Sequence, residues 1–214
     1  MKKLVLLSTV FFLTAIKVAA QEVTPKLTAF PEFRPATAYL ADGKKLDIPM
    51  ANIFLKNSSL LYLSGELTKE ADTKNLLRVD FKDRTYIRID SVLAFQVDTV
   101  GSKALYCAKV LDLKAYKQLL VNNSNITNLD INDLMTTNML QYTTVDIGDA
   151  QDIHFPVIPL YYYRINDKFV LVHERHLKRF FDKEDRRRME SVMNLPDFSW
   201  TNEKFLLKIL EVIK

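Results

Sequence analysis

The chain has 214 residues, 48% hydrophobic and 26% charged, which excludes a disordered tail protein or a collagen-like polymer and suffices for one or two small domains. Only 4 residues are glycine, far below the usual ~7%, so glycine-rich phosphate loops are excluded as well. Lys and Arg number 30 against 26 Asp and Glu, a net charge of +4, but that charge is unevenly placed.

Lys2 and Lys3 precede an apolar run over residues 4–16, and Lys17, Val18, Ala19 and Ala20 follow it. A positive start, a short apolar core and small residues before the cut predict a signal peptide over residues 1–20, too short to span a bilayer. That leader holds three lysines and no acid. Removing it leaves 27 basic residues against 26 acidic ones, a net of +1, and the general case for nucleic-acid binding goes with it. Cys107 is the only cysteine. No Cys follows the leader to carry a lipoprotein anchor, no internal disulfide can form, and the apolar neighbours of Cys107 predict a buried, unreactive thiol. No later run reaches the ~18 apolar residues of a transmembrane helix. The expectation is an exported protein, periplasmic or outer-membrane associated.

Residues 21–33, with Pro25 and Pro31, read as an extended lead-in. Ala36, Ala38 and Leu40 alternate with polar or smaller neighbours up to Asp42-Gly43, and Leu46, Ile48 and Met50 alternate after it, which predicts a hairpin. Pro49 places an edge or a bulge in its second strand. Further strands are expected at residues 53–55, 60–63 and 77–81, the last with Leu77, Val79 and Phe81 on one face. Residues 86–97 form one long strand or two broken near Asp90-Ser91. Residues 103–120 begin as strand and turn helical near Ala115, giving a β-rich module over 34–120. Residues 121–150 read as a loop or insertion.

The stretch 151–214 opens with β-formers on either side of Asn166-Asp167, a tight-turn pair. Its period then changes to helical. Leu177, Phe180 and Phe181 mark one short helix. Met189, Val192 and Met193 mark a second, stopped by Asn194 and Pro196. A third carries Phe205, Leu206, Ile209, Leu210 and Ile213, with Thr201 as its cap and Glu203 in its first turn. The fold class is α+β: an antiparallel β-rich body, curled sheet or sandwich, with short C-terminal helices that pack with residues 34–120 as one domain or stand beside them.

The strand, Asp42-Gly43 turn and second strand, the apolar-Tyr-apolar run at Leu61-Tyr62-Leu63, and the Tyr-rich hairpin followed by short helices resemble secreted proteins of unknown function from the Bacteroidota. The resemblance covers most of the chain after the leader. It implies an envelope protein of that phylum and carries over no active site. The phylum's β-rich C-terminal secretion domain is not matched, because this chain ends in a helical pattern. Asp90-Ser91-Val92 and Asp98-Thr99-Val100 are similar to the phylum's O-glycosylation acceptor, which a glycan reaches only if exposed.

His173 and His176 stand three residues apart, where a strand passes into a helix, with His154 as a third imidazole; they are the only candidate metal ligands of that kind. Asn128, Asp130, Asn132 and Asp133 present oxygens at near-alternate positions but lack the Gly and the closing Glu of a calcium loop. No serine-nucleophile motif occurs, and no cofactor is called for. Nine Lys or Arg face five acids between Arg164 and Arg188. Arg175, Arg179, Arg186, Arg187 and Arg188 are therefore the candidate contact residues for an envelope protein or an anionic envelope component, against a plain solvated helix face paired to Asp182, Glu184 and Asp185. The sequence favours a non-catalytic binding or assembly module. The alternatives are a glycan- or peptide-acting hydrolase, which would show a pocket with two facing carboxylates, and a small-ligand binder with the Tyr161-Tyr162-Tyr163 run lining a cavity, where alternation points Tyr161 and Tyr163 one way and Tyr162 the other.

Overall fold

The computed structural model describes residues 22–24, 26–123 and 155–214. The expected signal peptide, His154 and the run Asn128, Asp130, Asn132, Asp133 lie outside them, as does all but the start of the 121–150 segment. The elements are β1 (Glu22–Thr24), β2 (Arg34–Leu40), β3 (Lys45–Phe54), β4 (Ser59–Ser64) and β5 (Leu67–Glu70). After a 3-10 turn at Thr73–Asn75 come β6 (Leu76–Phe81), β7 (Thr85–Ile89), β8 (Val92–Val100), β9 (Lys103–Leu111) and α1 (Leu113–Asn123). The last group is β10 (Phe155–Ile165), β11 (Lys168–Leu171), α2 (Glu174–Phe180), α3 (Lys183–Met193) and α4 (Glu203–Val212).

All the strands belong to one 11-stranded sheet in the order β1-β10-β9-β8-β7-β6-β2-β3-β4-β5, with β11 also on β10. The expected choice between curled sheet and sandwich falls on the curled sheet. The curl is visible in main-chain bonds between distant strands. The turn after β3 reaches across to the other arm, where Leu93 N–H donates to Ser58 O at 2.8 Å and Leu111 N–H to Leu55 O at 2.6 Å. Such long antiparallel sheets twist and roll up rather than lie flat.

Local chemistry sets the strand ends. Gly43 has φ +85°, and Asn166 and Asp167 have φ +50° and +60°, the conformation that tight hairpin turns require. Asp90, at φ +52°, breaks the 86–97 run into β7 and β8. Pro49 lies at a bulge. Arg34 pairs with Ala51 and Ala36 with Ile48, so β3 carries one extra residue there, and the missing proline N–H costs no ladder bond. A second bulge corrects the expectation for Leu77. Tyr39 pairs with Arg78 but Leu40 with Leu76, which turns Leu77 outward at 48% exposure and Leu76 inward at 2%. Ile53 and Phe54 end β3 and Leu55 begins the turn after it, so residues 53–55 form no strand of their own, and β5 was not foreseen.

Register identifies the inner face. Leu46, Ala38, Val79, Tyr86, Phe95, Cys107 and Tyr161 pair in turn across seven strands. Two bodies fill this face. The helices cover one end of β8–β10, where Leu177, Met189, Leu206, Ile209 and Leu210 are fully buried against Leu105, Cys107 and Tyr163. The lead-in does more than extend: Leu27, Thr28 and Phe30 are buried, with Leu27 packed beside Phe54 and Phe155. Each large apolar side chain so buried contributes ~1.5–3 kcal/mol. Phe95 touches both the helical and the sheet-side clusters, so the space beside it lies between the two.

Asn202 caps α4, its side chain accepting from Lys204 N–H at 3.1 Å. The expected cap, Thr201, bonds to Ser199 two residues earlier. Glu203 does stand in the first turn.

Candidate binding site

The inner face keeps a cavity of about 110 Å³ between the two arms of the sheet. Its deep side is Ser58, at 1% exposure, and Thr28, at 5%. Thr24 on β1, Lys109 on β9, the buried Tyr86, Phe95 and the exposed Arg84 line it as well. Two cations and four hydroxyls therefore line it, and no carboxylate does so among the described lining residues.

Packing fixes the wall around Tyr86. Tyr86 meets Phe81 edge-on at 5.9 Å, Phe95 at 5.8 Å and Phe30 at 6.4 Å, the arrangement that ring quadrupoles favour. Arg84 stacks over Phe95 at 4.4 Å and Arg34 over Phe30 at 3.3 Å. Burial pushes the Tyr86 phenol above its ordinary pKa, and the Arg84 guanidinium beside it pulls it partly back. Three of the lining hydroxyls are already directed. Thr24 donates to Lys26 O at 2.8 Å, Thr28 to Phe30 O at 2.9 Å and Ser58 to Leu93 O at 2.6 Å.

Arg84 and Phe95 also line a wider cleft of about 510 Å³ toward solvent. It opens where β7 begins at Thr85 while β8 runs on past Gln96. Asp83 and Glu203 both line this cleft, and each is engaged. Asp83 pairs with Arg34 at 2.5 Å, and Glu203 accepts from the Tyr161 hydroxyl at 3.1 Å. Among the described residues, the carboxyls of Asp42 and Asp182 are shifted below their ordinary pKa, and both stand elsewhere.

The structure separates the tyrosine run from the cavity. Tyr161 and Tyr163 face the helices, Tyr163 donating to Leu206 O at 2.8 Å, while Tyr162 turns to the other face beside Tyr106 and Ala108. The alternation holds, but the tyrosines anchor α4 instead of lining a ligand site. Cys107 is buried.

The arginine set divides. Arg186 donates to Phe181 O at 2.9 Å. Arg188 pairs with Glu184 and lies 3.5 Å from Asp185. Arg187 is exposed. Arg175 and Arg179 are also exposed and line a shallow depression with His173, Glu174 and Lys178. Lys178 is held by Glu174 at 2.7 Å and Glu190 at 3.5 Å. His173 serves as the N-cap of α2, its Nδ1 accepting from Arg175 N–H at 3.2 Å. Its ring lies 5.8 Å from that of His176, and no cluster of three metal-ligating residues occurs among the described residues. Ser91 and Thr99, the glycosylation candidates, are both exposed.

The cavity escaped sequence reading because its residues come from six strands, two turns and the lead-in. Tyr86 and Lys109 read as ordinary strand positions, and Arg84 as a turn residue. No helix among the described residues is long and apolar enough to cross a membrane. Comparisons with protein-family models, curated proteins and solved structures give no match.

Proposed function

We propose that this chain is an exported, non-catalytic binding module of the cell envelope, and that it binds through the inner cavity of its curled sheet. One observation carries the proposal: an inward cavity lined by Arg84, Lys109, Tyr86 and buried hydroxyls, with the neighbouring acids Asp83 and Glu203 already engaged. Concave sites with a few convergent polar groups on an apolar wall are the usual form of small-ligand pockets. Export is supported by the pattern of residues 1–20.

Native mass spectrometry of the chain recovered from the host's periplasm tests both parts. The expected species begins near Gln21 and carries a non-covalent adduct that Arg84→Glu removes. A bare chain, or one recovered from the cytoplasm with its leader intact, contradicts the proposal.

A second contact surface is supported by Arg175 and Arg179, exposed on α2 without an acidic partner among the described residues. It suits an anionic envelope component. Reversing both to Glu should abolish recovery of that component in crosslinking from living cells; unchanged recovery removes this surface from the proposal.

A further inference from the structure

We infer that the outward face of α2 docks on the phosphate layer of an anionic bilayer, with Arg175 and Arg179 on the headgroups and Phe180 reaching below them. The inference rests on the second contact surface proposed above and adds the class of partner.

The burial of α2 decides what its outer side presents. Leu177 is buried, and Glu174 and Lys178 beside it are half-buried. At 3.6 residues per turn the opposite side then carries Arg175, His176, Arg179 and Phe180. All four are exposed, Phe180 at 37%. The charge on this side is local. Residues 21–214 hold 27 basic and 26 acidic residues, so net charge alone does not draw the chain to an anionic surface. Lys178 is held by Glu174 at 2.7 Å and by Glu190 of α3 at 3.5 Å. Arg175 and Arg179 have no acidic partner among the described residues and stand one turn apart on the same side. A guanidinium can give a phosphate two parallel bonds, so two of them at that spacing suit a layer of phosphates.

Two features favour a bilayer over a folded partner. Phe180 is an exposed aromatic ring beside two cations, and the boundary between headgroups and acyl chains accommodates both kinds of side chain. The helix has 7 residues and is therefore about 10 Å long, with a shallow depression beside it. A specific protein interface buries ~800 Å² a side, far more than this face offers. A bilayer asks for no matching shape.

The test is co-sedimentation of the chain purified from its host with two kinds of vesicle at low salt. One is phosphatidylethanolamine with about a quarter phosphatidylglycerol, and the other is phosphatidylcholine alone. Each basic residue near an anionic surface strengthens binding about fivefold. The wild-type chain should therefore bind the anionic vesicles at least about tenfold better than the neutral ones, and lose that preference in about 0.5 M salt. Arg175→Gln together with Arg179→Gln, both at exposed positions, should remove it as well. Phe180→Ser should weaken binding about threefold or more and keep the preference. Equal binding of the wild-type chain to both vesicles overturns the inference, as does a preference that the double arginine change leaves intact. Unchanged binding of the Phe180→Ser chain overturns the insertion of the ring, and with it the case against an acidic protein. No binding to either vesicle overturns the bilayer as partner. Crosslinking in living cells, lost or kept when Arg175 and Arg179 are reversed, then decides separately on the contact surface itself.

Discussion

Asn52 sits on β3 at 1% exposure and uses its whole amide. Its Nδ2 donates to Phe30 O at 2.9 Å and Glu32 O at 3.2 Å, and its Oδ1 accepts from Phe30 N–H at 3.1 Å and Ile53 N–H at 2.8 Å. It thereby ties the lead-in to the sheet and keeps Thr28 at the cavity floor. Asn52→Ala leaves several of those main-chain groups buried and unpaired, so it should cost about 3 kcal/mol. Urea denaturation measures the cost, and hydrogen exchange over residues 27–32 should rise with it. Nothing in the sequence marks this role. A single Asn within an apolar alternation looks like a defect in a strand, and residues 26–33 have no period because they follow a loop path against two strands. Arg84 was equally silent, since an arginine in a turn is ordinarily solvated.

Elements are placed by caps and by a few buried polar bonds. Asp182 caps α3, accepting from Asp185 N–H at 2.8 Å, and that main-chain bond is the chief reason its pKa lies below the ordinary 3.8. Its folded pKa is depressed. Its contribution is therefore full above about pH 4 and lost as the pH falls through the folded value. Asp182→Asn keeps the capping oxygen without the charge, so it should flatten the loss of stability between about pH 4 and pH 2. Asp182→Ala should be less stable than wild type at neutral pH too. Denaturation midpoints across that range distinguish the three proteins. On β10, burial pushes the Tyr163 phenol up, and its hydroxyl donates to Leu206 O on α4. Tyr163→Phe should cost about 1 kcal/mol and Met189→Ala, in the same cluster, about 2–5 kcal/mol. The three C-terminal helices were legible from their apolar spacing, although α2 buries only Leu177, with Phe181 at its C-cap and Phe180 exposed, where α3 and α4 each bury a stripe. The two bulges were less so: Pro49 announced one, but no residue announced the extra one at Leu77, which only pairing with β2 reveals. Asn202 displaced Thr201 as a cap by one position, within the resolution of any pattern of capping residues.

At the scale of the whole molecule, strand count and turn chemistry could be read in order, but the rolling of the sheet could not. Closure depends on Leu55 and Ser58 meeting Leu111 and Leu93, pairs that lie 35 residues or more apart and carry no local signal. The cavity exists only because of that closure, which is why the sequence drew attention to the arginine-rich helices instead. Two faces of one molecule thus compete as the contact surface: the mouth of the inner cleft and the basic face of α2. Photo-crosslinking in living cells of the host decides between them. A benzophenone amino acid at Thr85, on the rim of the cleft, is compared with one at Arg175, on α2, and the intact mass of each chain is measured. A mass gain at Thr85 that disappears when Arg84 is also changed to Glu, whether or not one is seen at Arg175, is the result predicted for a module that binds through its curled interior. Crosslinking at Arg175 alone would contradict it.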